Sequence, residues 1–209
     1  MNILHKTSTA AVILSNKSLI CSALAASLLV TSTTPASAAV KSINVSGKTS
    51  VQFVVTNLPK AAGWGAHFST SKTENGYGGE AAECHLNSGT DKQPATTVTF
   101  LCYDGYKNAQ NAQNQFRLDL GPKSENNKDV LTKVTITVTR QAVQVKAQRV
   151  ATNPYTNEQK PYDISASFPL RKETNFFKTG TVYYQDNGVL NGDTTRKGVN
   201  YVLANPVVQ

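Results

Sequence analysis

Tyr162-Asp163-Ile164-Ser165-Ala166-Ser167-Phe168-Pro169-Leu170 alternates apolar and polar side chains over nine positions. Side chains of a strand point to opposite faces in turn, so a two-residue period marks a strand with one buried face. Pro169 cannot donate to a ladder, which places this strand at a sheet edge or ends it there.

The same period recurs on both sides of this run. Ile43 and Val45 precede a turn at Ser46-Gly47-Lys48, and Val51, Phe53 and Val55 precede the break at Asn57-Leu58-Pro59. Val98, Phe100 and Cys102 share one parity. Phe116, Leu118 and Leu120 alternate with Arg117 and Asp119 and stop at Gly121-Pro122. Val182 and Tyr184, then Val199, Tyr201 and Leu203, read as a closing pair of strands. Turn chemistry lies between them at Asp186-Asn187-Gly188 and Asn191-Gly192-Asp193. In residues 130–150 the apolar parity changes between Val134-Ile136-Val138 and Val143-Val145-Ala147, which implies a bulge or a bend between sheets near Gln141-Ala142. The Asn-Ala-Gln repeat within 107–115 lacks an apolar stripe and reads as a polar loop. Many short strands without alternating helices predict an all-β fold, an antiparallel sandwich or partly open barrel.

Residues 1–38 read differently. Lys6 and Lys17 precede or flank an apolar run from Leu19 to Val30, and Ala36-Ser37-Ala38 has the small-x-small pattern of a signal-peptidase site. The run is about half the roughly 20 residues that span a bilayer. The expectation is a signal peptide over 1–38 and a single secreted β domain over 39–209. Cys21 leaves with the signal, and Cys84 and Cys102 are expected to pair as a disulfide in an oxidising compartment. The protein is expected to be secreted and extracellular or at the cell surface; the periplasm is the other compartment this signal allows. No second apolar segment of membrane length follows, so no transmembrane segment is expected in the mature chain.

Nineteen Lys and Arg and thirteen Asp and Glu lie beyond residue 38, a net charge of +6. The basic residues are scattered. A basic soluble surface suits peripheral contact with anionic membranes or glycans, while no basic cluster or motif points to nucleic acid.

Catalytic patterns are sparse. His67 and His85 have neither His-x-x-x-His nor Cys/His spacing, so no metal site and no cofactor are expected. Ser88 near His85 makes no triad, and Glu80 with Glu83 make no cleft by proximity in sequence alone. No catalytic residue is assigned. Candidate binding residues are Trp64 between Gly63 and Gly65, Tyr77 in Asn75-Gly76-Tyr77-Gly78-Gly79, and Tyr103 and Tyr106 on a loop after Cys102. Aromatic rings stack on sugars or fill partner pockets; the alternative is that Trp64 is core and the tyrosines are turn residues.

The plan of signal peptide, one disulfide and β domain resembles exported fimbrial or adhesin-type subunits, and residues 39–55 resemble a strand available for donor-strand pairing. That resemblance implies a non-enzymatic adhesion, binding or structural protein with a glycan or protein partner at a cell surface, or self-assembly. The glycine and penultimate tyrosine that commonly mark the last strand of chaperone–usher subunits are missing here, since Tyr201 stands eight residues from the end. Two other classes stay open: a membrane-active toxin using the Thr-rich segment Val130 to Arg140 as a hairpin, and an unrecognised secreted enzyme.

Overall fold

A computed structural model describes residues 39–209 except 72–81, 91–92, 107–111, 127, 173–174, 189 and 191–195. The signal-peptide reading of 1–38 and the Tyr77 loop lie outside the described residues.

The described residues form thirteen strands in two antiparallel sheets packed face to face. Sheet A has the order β1 (Lys41–Asn44), β11 (Thr181–Asn187), β3 (Gly63–Ser69), β4 (Ala82–Gly89), β5 (Pro94–Tyr106) and β6 (Ala112–Pro122). Sheet B has the order β10 (Gln159–Pro169), β9 (Ala142–Thr152), β8 (Asp129–Thr139), β2 (Ser50–Thr56) and β12 (Val202–Leu203). The short β13 (Val207–Val208) also pairs β2, and β7 (Ser124–Glu125) pairs β8. Among the described residues no helix is long and apolar enough to cross a membrane.

The core is made by the inward parities. Val51, Phe53 and Val55 from β2 meet Val134, Ile136 and Val138 from β8 and Val143, Val145 and Ala147 from β9; all are buried. Phe53 stacks on Phe68 of the opposite sheet with ring centroids 4.8 Å apart, and Phe176 covers Phe68 at 5.6 Å. Such aromatic contacts between layers carry much of a sandwich's burial energy. Cys84 and Cys102 face each other across β4 and β5 and form the expected disulfide, with Cα atoms 4.1 Å apart. The bridge therefore joins neighbouring strands of one sheet.

Four local readings change. The parity switch in 130–150 is a tight hairpin within sheet B. Val138 pairs Val143, so inward residues on the two strands necessarily have opposite parity. Thr139 Oγ1 accepts the N–H groups of Gln141 and Ala142 and closes the turn. A bulge does occur in this pair, but at its other end, between Leu131 and Lys133. Residues 103–106 are the end of β5, and Ala112 to Gln115 begin β6; ladder pairing of Tyr103 with Gln115 and Tyr106 with Ala112 overrides the polar composition. The closing strands do not pair with one another: β11 joins sheet A, β12 joins sheet B, and Val199 bridges Ala62. Residues 39–55 divide likewise between β1 in sheet A and β2 in sheet B.

β10 is an edge strand, as Pro169 implied. Its register aligns Pro161 with Val150 and Pro169 with Ala142.

Candidate functional site

The outer face of sheet A carries a group of side chains that a solvent-facing sheet surface would leave wet. Glu83 and His85 lie two apart on β4 and so share that face, opposite to the inward Cys84. His67 joins them from β3 because of a bulge. The β3–β4 register shifts between Gly65 and Phe68, and Ala66 sits in the left-handed region with φ 48°. A bulge adds one residue and re-aims its neighbours. Here it places both Trp64 and His67 on the outer face while Phe68 returns to the core.

His67 and His85 are fully buried and Glu83 is 5% exposed. His67 Nε2 lies 3.0 Å from Glu83 Oε1, and His85 Nδ1 lies 3.8 Å from the same oxygen. Neither histidine has a well-aligned hydrogen bond at either ring nitrogen among the described residues. One ligand-capable atom from each of the three residues falls within 4.8 Å of the others.

The rings around this group are ordered. Trp64 stacks on His85 at 4.2 Å with planes 9° apart, and Tyr103 lies 6.0 Å from His85. Arg196 lies over the Trp64 ring, its guanidinium carbon 4.7 Å from the centroid. Gly188 and Gly198 seat the chain beside Trp64. Gly188 N–H donates to the Trp64 carbonyl at 2.7 Å, and a Cβ on Gly198 would fall 1.7 Å from that oxygen. Gln185 of β11 aligns with His67 and is also buried.

Burial, reinforced by the neighbouring His67, pushes the His85 imidazole down to about 3, so it is neutral at ordinary pH. Burial pushes the Glu83 carboxyl upward, but His67, His85 and Arg196 outweigh it and hold the carboxyl below its usual range. Burial, then the Glu83 charge, raises the Tyr103 hydroxyl. An ionised carboxylate beside a neutral imidazole offers lone pairs, which suits a cation or a hydrogen-bond donor.

Of the residues singled out in sequence, Trp64 and Tyr103 come together on either side of His85. Tyr106 lies on β5 beyond them, and Tyr77 and Glu80 fall outside the described residues. Ser88 Oγ donates to backbone carbonyls of Ala95 and Thr97, so it is engaged away from His85. The His67–Glu83–His85 group was missed. Glu83-x-His85 on a strand was its one visible trace; the partner His67 depends on register and on the bulge. The chain matches no protein-family model, no curated protein and no solved structure.

Proposed function

We propose that the protein is an exported, non-enzymatic binding or structural protein of the adhesin type, whose contact surface is the outer face of sheet A around Trp64 and Tyr103. The observation that carries this reading is the half-buried aromatic rim itself. Trp64 stands on β3 and Tyr103 on β5, the two neighbours of β4, and the disulfide ties β4 to β5, so a ligand meets rings already fixed in place and little side-chain entropy is lost. Arg196 adds a cation beside the rim. Such a surface recognises glycans by ring stacking and anionic or amide groups by hydrogen bonding. The net charge of residues 39–209 favours encounter with acidic cell-surface polymers.

Cell fractionation combined with native mass measurement and glycan-array binding tests the proposal. Export, surface retention and glycan or cell binding reduced about tenfold or more by Tyr103→Ala support it. Retention in the cytoplasm, or surface binding untouched by Tyr103→Ala and Trp64→Ala together, overturns it.

A further inference from the structure

The geometry points to a second property that does not rest on the binding proposal: His67, Glu83 and His85 form a three-ligand site for a divalent first-row transition metal, with Zn2+ as the reference ion. Two imidazoles and one carboxylate are the donor set of many zinc and non-haem iron centres, in which three protein ligands leave a further position open.

The distances fit. Around a tetrahedral Zn2+ with bonds of about 2.0–2.1 Å, ligand atoms stand about 3.3 Å from one another. The two separations to Glu83 Oε1, 3.0 and 3.8 Å, bracket that value. All three ligand-capable atoms lie within 4.8 Å of one another, and the widest separation must shorten for all of them to hold one ion. A bound ion would also engage the buried histidine nitrogens facing it, which make no well-aligned hydrogen bond among the described residues. Surrounding groups hold the ligands in orientation: Trp64 restrains the His85 ring by stacking, and Gln185 and Tyr103 flank the pair from the adjoining strands. Glu83 is 5% exposed, whereas both histidines are fully buried.

Sequence content sharpens the inference. The chain has three histidines, and His5 lies within the segment read as an export signal. Both others meet at this one place, although they lie on different strands.

The test uses untagged, disulfide-intact protein freed of metal by chelator dialysis. Zn2+ competition against a chromophoric chelator, and Co2+ absorption, are expected to report one ion per chain. Glu83→Gln and His67→Asn, each checked for native circular dichroism, are expected to weaken binding at least tenfold. X-ray absorption of the Zn2+-loaded wild type needs no variant and is expected to show two imidazoles in the coordination shell. Absence of stoichiometric binding overturns the assignment. So does a shell without imidazole, or binding retained by both folded variants, which would place the ion elsewhere.

Discussion

Arg149 Nε donates to Asp129 Oδ1 at 2.9 Å, and this ion pair lies within one end of the sandwich, with Arg149 only 2% exposed. Arg149 has the inward parity of β9, like Val145 and Ala147, so its charge enters the space between the sheets. Its Nη1 donates to the Leu120 carbonyl at 2.8 Å, and the Tyr162 hydroxyl donates to Asp129 Oδ2 at 2.6 Å. The bulge near Lys133 sets Leu131 opposite Arg149 and makes this placement possible.

The two halves of that pair should respond unequally. Asp129→Ala strands a buried guanidinium and is expected to cost about 3 kcal/mol or more. Arg149→Met removes the buried charge, fills similar space and leaves Asp129 partly in water, so its cost should be smaller. Urea denaturation of both variants checks the order; equal costs would contradict the argument.

The Cys84–Cys102 bridge has a sequence separation of 18. Closing a loop of that size stabilises a fold by about 3 kcal/mol in the chain-entropy treatment. The Cys84→Ala/Cys102→Ala double variant is expected to lose about that much. Its two sheets should persist because the bridge crosses neither layer. Denaturant midpoints with near-ultraviolet circular dichroism give the comparison.

Gly198→Ala should break the seat beside Trp64. The added Cβ meets backbone, which cannot rotate away, so the Arg196 segment must move. Trp64 is the only tryptophan, and its emission reports this locally. A red shift and altered iodide quenching are expected, with a loss of about 1–3 kcal/mol typical of overpacking. An unchanged spectrum would mean that the segment does not shield the ring.

Burial raises the Tyr201 hydroxyl well above the phenol range, while the unfolded chain ionises near pH 10. The unfolded state therefore sheds this proton first. The residue's contribution to stability is whole below about pH 10 and is lost as pH rises above it. Tyr201→Phe sacrifices the bond to the Gly63 carbonyl, 3.2 Å long, at all pH values, yet its stability should fall less steeply above pH 10. Parallel slopes for the two proteins would argue against this role.

Most of the sandwich was legible because its core parities are regular. β2 and β5 turn Val51, Phe53, Val55, Val98, Phe100 and Cys102 inward as alternation requires. Partner choice was less legible, since alternation gives faces and says nothing of neighbours. Val182 and Tyr184 resemble Tyr201 and Leu203 in pattern, but the chain crosses between layers before β12. The candidate site depended on the least legible feature. An alanine with positive φ leaves no signal in sequence, because the residues expected there are glycine and asparagine. Without the irregularity at Ala66, His67 has no reason to join a face shared with Trp64.

The prolines of β10 have a consequence for growth of the sheet. Leu170 N–H donates inward to the Gln141 carbonyl, so even-numbered amides point to β9 and odd-numbered amides point away. Pro161 and Pro169 both occupy outward positions and remove two of the donors along that border, one of them at its end. Outward amides remain at Gln159, Asp163, Ser165 and Ser167. A second copy arriving edge-on would find a ladder short of two donors. Copies that gather at this border find a depleted row of donors, so side chains must supply more of the contact there than along an unbroken edge.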